Sequence, residues 1–119
     1  MKKTEAVGIL SALAQDNRLD VFRLLVEAGP AGMPAGHIAA SLRLLPSALS
    51  FHLDRLREAG LVTVCRDGRS MIYAARFEAM DLLVSYLTDH CCQGRPELCK
   101  PKAKIAQRRG AGQKPEPVR

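Results

Sequence analysis

The chain has 119 residues, with 18 Lys/Arg against 12 Asp/Glu, no tryptophan, two tyrosines and three phenylalanines. That length suits one domain with a single modest core, and no run of about 18 apolar residues is present to span a membrane. The net charge of +6 points toward nucleic acid, but it is unevenly placed: residues 100–119 hold seven Lys/Arg and one Glu, whereas residues 1–99 hold eleven of each sign. The excess belongs to the tail KPKAKIAQRRGAGQKPEPVR, whose prolines, glycines and scarcity of large apolar residues predict disorder. Such a tail serves either as a solubiliser or as a source of nonspecific attraction to DNA. A case for DNA binding must therefore rest on the neutral domain, residues 1–99.

The opening MKKTEAVGILSALAQDNRLD begins with two lysines, as a signal peptide does. Its apolar stretch is short and runs into an amphipathic pattern with no cleavage site, so we read it as the first helix of a cytoplasmic protein. In that compartment the four cysteines are expected to be thiols or ligands rather than disulfides. Val7, Leu10, Leu13 and Ala14 recur at helical spacing over residues 4–15. Asp16 or Asn17 is positioned to cap a second helix with the stripe Leu19, Phe22, Leu25 and Val26, ended by Gly29-Pro30. AGPAGM reads as a turn. A short third helix is expected from about Pro34, with Ile38, Ala39 and Leu42 inward.

The stretch LLPSALSFHLDRLREAG predicts a fourth helix from Pro46 to a stop at Gly60. Leu49, Leu53 and Leu56 fall on one face, and Ser47, Phe51, Asp54 and Glu58 on the other, flanked by Ser50 and Arg55. Two β-prone runs, Leu61–Arg66 and Met71–Ala75, surround Asp67-Gly68, a strong hairpin signal. The last regular element, RFEAMDLLVSYLTDHCC, carries the stripe Met80, Leu83, Val84 and Leu87. No internal repeat is visible.

Four helices, a hairpin and a C-terminal helix make a mainly α protein. Two short helices joined by a tight turn and followed by a β-ribbon describe a winged helix-turn-helix. The second helix of such a pair enters the major groove, which is wide enough to admit it. Ser47 and Ser50 are small hydrogen-bonding groups, and Arg55 can bond phosphate or guanine. Phe51 either touches a thymine methyl or folds back onto the protein. Arg66 and Arg69 in the wing are placed to reach phosphates, which set affinity rather than sequence choice.

The segments QDNRLDVFRLL, PSALSFHLDRLREAGLV and RDGRSMIY, in this order, resemble the ArsR family of metal-responsive bacterial repressors. The resemblance covers roughly residues 6–92. It implies a winged-helix homodimer whose first and last helices form the interface, and whose affinity for operator DNA falls when an inducer binds. It places the DNA-reading role on Ser47, Ala48, Ser50, Phe51, His52 and Arg55, and the wing role on Arg66 and Arg69. Phe51 departs from the basic or polar residue that many members carry there. His52, at the edge of the leucine stripe, is read from its position as a packing residue.

Some arsenic-sensing members carry an ELCVCDLC-type motif in the third helix; here MPAGHIAASL stands in its place, without cysteine. The thiols have gathered instead in DHCCQGRPELC, residues 89–99. This is similar to a branch of the family in which a CC pair and a later cysteine bind trivalent arsenic, which implies arsenite, or antimonite, as inducer on Cys91, Cys92 and Cys99. No organic cofactor is implied. Thiolates are soft ligands suited to a thiophilic centre. Adjacent cysteines in a regular helix diverge by about 100°, and the breakers Gly94 and Pro96 allow Cys99 to fold back over them. Arg95, Lys100 and Lys102 favour thiolate over thiol.

Two other uses of these thiols remain open: a Cys₃His set with His90 for zinc, cadmium or lead, and a thiol–disulfide switch. Cys65, in the first wing strand, is expected to be a buried structural thiol. His37, Glu78, Asp81 and Asp89 read as ordinary surface groups rather than a second metal site. An enzyme is not expected, since no Gly-rich nucleotide loop follows a strand and no Cys/His/Asp cluster is apparent.

Overall fold

The computed structural model describes residues 1–89. In chain order the elements are α1 (Lys3–Leu13), α2 (Asp16–Ala28), β1 (Met33–Pro34), α3 (Ala35–Leu42), α4 (Pro46–Glu58), β2 (Val62–Asp67), β3 (Ser70–Ala75) and α5 (Phe77–Leu87). Residues Met1–Tyr86 form one compact unit. The thiols Cys91, Cys92 and Cys99, His90 and the basic tail lie outside the described residues.

Local chemistry sets the helix ends. The Lys2 backbone N–H donates to the Glu5 carboxylate at 2.8 Å, closing the first turn of α1. At the other end Arg18 Nε donates to the Ala12 carbonyl at 2.7 Å, placing a cation where the last carbonyls lack helical partners. The cap of α2 is Gln15, not Asp16 or Asn17: its side-chain oxygen accepts from the Arg18 N–H at 2.9 Å. Gln15 has extended backbone (φ −153°, ψ 131°), whereas Asp16 is already helical. Only a residue still outside the helix can turn its side chain back onto the third N–H.

Ile38, Leu25, Leu49, Leu53, Leu56 and Leu61 are fully buried. Each contributes about 1.5–3 kcal/mol relative to an exposed side chain. They join Val21, Phe22, Ile9 and Leu83 in one core under α1–α5 and the sheet. The expected stripe of α4 is the buried one. The expected stripe of α1 is not: Ala6, Ile9 and Ala12 face the core, while Val7 and Leu10 are 55% and 43% exposed. Helix α1 is apolar on two sides, and the side with small alanines is the one that packs closely. In α2, Phe22 and Leu25 are buried as expected, but Val21 completes the face and Leu19 and Val26 lie outside. In α5 the buried pair is Ala79 and Leu83, with Val84 and Leu87 exposed.

The hairpin β2–β3 runs from the Val62–Ala75 pair to the Asp67–Ser70 pair, leaving Gly68 and Arg69 as its two-residue loop. Gly68 has φ 65°, the sign that a primed hairpin turn requires at its first central residue. A third strand, absent from the sequence reading, adds to this ribbon: Met33 pairs with Tyr73 and Pro34 with Ile72, giving the order β1-β3-β2. Pro34 is tolerated because β1 is an edge strand. Gly32 makes the approach possible. It has φ 74°, and a Cβ there would collide with the Tyr73 carbonyl oxygen.

Candidate nucleic-acid interface

Helix α3 ends in a tight corner. Arg43 adopts the left-handed conformation (φ 56°, ψ 45°), and the Leu44 N–H returns to the Ala39 carbonyl at 3.0 Å. That conformation usually falls to glycine, so the corner holds a basic, exposed side chain at some conformational cost. Three residues later Pro46 opens α4, where its missing N–H leaves no bond unmade. Gly60, with φ 79°, closes the helix. Arg76 then fastens this end, donating from Nη1 to the Gly60 carbonyl at 2.7 Å and from Nη2 to Glu78 at 3.3 Å. The presentation of α4 is thus fixed at both ends.

The two sides of α4 differ sharply. Leu49, Leu53, Leu56 and His52 are buried; Ser47, Ser50, Phe51, Asp54 and Arg55 are exposed, and Ala48 is half-buried. His52 is only 8% exposed. It lies on the buried side of α4, at the edge of the leucine row. Its Nδ1 has no hydrogen-bond partner among the described residues. Burial, and then the nearby Arg18 guanidinium, hold its pKa below the ordinary imidazole value.

On the outer side, charges are paired along the helix: Arg55 with Glu58 and Arg57 with Asp54, each at 3.5 Å. Exposed pairs of this kind contribute little stability, about 0–1 kcal/mol, but they leave α4 with no net charge. Phe51 lies 5.9 Å from the His52 ring, edge to face, and the Arg55 guanidinium sits 4.9 Å from its centroid. Free positive charge lies elsewhere. Arg66 and Arg69 are exposed at the tip of the wing and have no ion-pair partner among the described residues, and Arg43 is exposed at the corner. Sequence reasoning passed over Arg43; the signal was a basic residue between two predicted helices.

Cys65 is exposed, which corrects the expectation that it is buried. It follows the alternation of β2, in which Val62 points inward and Thr63 and Cys65 outward. Among the described residues no group of three His, Cys, Asp or Glu side chains of one chain comes together to hold a metal ion. No described helix is long and apolar enough to cross a membrane.

A short helix, a tight corner, a second helix with a polar outer face and an arginine-tipped β-ribbon define a winged helix-turn-helix DNA-binding protein. Known proteins agree. A model described as a helix-turn-helix domain matches residues 13–65. The HTH-type transcriptional regulator YgaV of Escherichia coli (strain K12) is 31% identical over 88 residues, covering 74% of this chain and 87% of YgaV. A protein assigned as the arsenical resistance operon repressor ArsR of Halobacterium salinarum is 38% identical over 79 residues, 66% of this chain and 60% of that protein. Among solved structures, an ArsR-like transcriptional regulator from Rhodococcus sp. RHA1 superposes with a TM-score of 0.65 at 25% identity, covering 87% of this chain and 92% of the other. The chain belongs to the ArsR family of winged-helix transcriptional regulators. It is a DNA-binding regulator and not an enzyme.

Proposed function

We propose that the protein is a homodimeric cytoplasmic repressor released from its operator by trivalent arsenic. The observation that carries the DNA half of this reading is the polar outer face of α4, together with wing arginines that have no ion-pair partner among the described residues. Ser47, Ala48, Ser50, Phe51 and Arg55 form the reading surface, and Arg66 and Arg69 grip phosphates. The dimer reading draws on the apolar residues left outside: Val7 and Leu10 of α1 and Leu82 of α5 are 43–55% exposed, more apolar side-chain surface than a helix in contact only with water usually shows.

The inducer reading draws on the sequence. Cys91, Cys92 and Cys99 supply three soft sulfur ligands, the number that a trivalent arsenic or antimony centre takes. The similarity to a protein assigned as an arsenical resistance repressor supports the same inducer class. Release follows from linkage: arsenic binds the weak-affinity conformation better and shifts the population by that difference. The thiols follow α5 directly in sequence, so the ordering of that segment is proposed to tilt the two α4 helices and spoil their spacing on DNA. The segment 100–119 acts as a basic tail that adds nonspecific attraction.

The test is fluorescence anisotropy of the reduced protein on DNA from its own promoter, titrated with arsenite and, separately, with zinc. Release by arsenite but not zinc, lost in Cys91→Ser, is the expected result. Release by zinc or cadmium alone would transfer the site to the Cys₃His set with His90. Binding indifferent to all of them would remove the inducer from the proposal.

A further inference from the structure

The Phe51–Arg55–Glu58 row on the outer face of α4 has an arrangement that base contact alone does not explain. Residues four apart stand one above the other on a helix, and here the Arg55 guanidinium lies 4.9 Å from the Phe51 ring centroid. Glu58, one turn further, takes the same guanidinium at 3.5 Å. The Phe51 and His52 rings stand edge to face, their centroids 5.9 Å apart. All three outer side chains share the wall of one groove of about 530 Å³ between α1 and α4. The ring is therefore engaged on one face and braced from the core side, although Phe51 as a whole is 51% exposed.

We infer that Phe51 is a positioning residue for Arg55: its ring is a stacking platform that holds the guanidinium in place before DNA arrives. The inference rests on α4 being the DNA-reading helix. An arginine has several rotatable bonds to freeze when it pairs with a base or a phosphate. Holding it beforehand removes that loss from the binding step. A flat aromatic face attracts a guanidinium, whereas an aliphatic side chain of similar size offers only contact area. Glu58 completes the device as a counter-charge at the open end, restraining the arginine until a better anion displaces it. On this view Phe51 shapes recognition through Arg55 and needs no contact of its own with a thymine methyl.

The experiment is a double-mutant cycle on the full chain, with binding read by anisotropy on the promoter fragment and on a scrambled duplex of equal length. Phe51→Leu keeps apolar bulk and removes the π face; it is expected to weaken promoter binding by about three- to tenfold. Phe51→Tyr keeps the face and is expected to lose less affinity than Phe51→Leu. In an Arg55→Ala background, Phe51→Leu is expected to have no further effect, because its route to DNA is gone. Circular dichroism confirms that each variant is folded. Losses that multiply in the double variant would overturn the inference and give Phe51 a DNA contact of its own. Parental affinity in Phe51→Leu would overturn it too. If the parent chain bound no promoter fragment while remaining folded, the assignment of α4 as the reading helix would fail first, and the inference with it.

Discussion

Helices α1 and α4 each bury one face in the same core, but they leave different things outside. Helix α1 buries Ala6, Ile9 and Ala12 and leaves Val7 and Leu10 in the open. Helix α4 buries Leu49, Leu53 and Leu56 and leaves serines, a phenylalanine and paired charges. A helix that is apolar on both sides needs a second apolar surface to cover it. One that is apolar within and hydrogen-bonding without can serve a polar ligand such as the major groove. The outer faces, not the buried ones, separate a surface suited to another protein chain from a surface suited to DNA.

Substitutions on the buried face of α4, the outer face of α1 and the wing should separate cleanly. The largest effect is expected from Leu53→Ala, on the buried face of α4. Leu53 is 1% exposed, and truncation should cost about 3 kcal/mol from lost burial and the cavity left behind. Urea unfolding followed by circular dichroism measures it. The outer face of α1 should respond in the opposite manner. Leu10→Glu is expected to leave the fold intact but to yield a monomer in sedimentation. Operator affinity should fall by roughly 100-fold, since two linked reading heads gain that order from effective concentration. A Leu10→Glu protein that still sedimented as a dimer would locate the proposed interface elsewhere.

A smaller effect is expected at the wing. Arg66→Ala with Arg69→Ala should weaken promoter and scrambled DNA alike, because phosphate contacts carry no sequence information. The slope of log K against log salt should drop by about one for each arginine removed. A loss confined to promoter DNA would mean that the wing reads bases, and would blur the division of labour between a neutral α4 and a basic wing.

The same contrast explains what could be read from the sequence. The face of α4 was legible because its leucines and its polar residues fall on opposite sides, and periodicity then has one solution. The face of α1 was not, since apolar residues occur on both sides and the larger ones, Val7 and Leu10, suggest the wrong side. Which side packs is decided by how closely α1 can approach, and Ala6 and Ala12 permit the closer contact. Strand β1 was hidden for a different reason: two residues with a proline have no strand signal, and they pair only because β3 offers an edge and Gly32 lets the backbone come near. The outward direction of Cys65 follows the alternation of β2 and could have been read there from Val62. The contact of Phe51 with Arg55 was implicit in the four-residue spacing, but the choice between stacking and free projection required side-chain positions.

The smallest predicted effect lies at His52, the one titratable side chain that α4 buries. Burial and the Arg18 guanidinium disfavour its protonated form, so its folded pKa lies below the unfolded value of about 6.5. Between the two values the unfolded chain binds more protons than the folded one, and stability therefore rises with pH across that window. The contribution is present above about pH 6.5 and is lost as pH falls through that value toward the folded pKa. The buried face of α1, made of Ala6, Ile9 and Ala12, has no group that can respond. In urea unfolding, the parent chain should lose more stability between about pH 7.5 and about pH 5.5 than His52→Gln, which cannot take up a proton. Equal losses in the two proteins would assign the acid sensitivity to groups outside α4. A steeper loss in the parent would show that α4, alone of the two helices, is anchored by a residue sensitive to pH near neutrality.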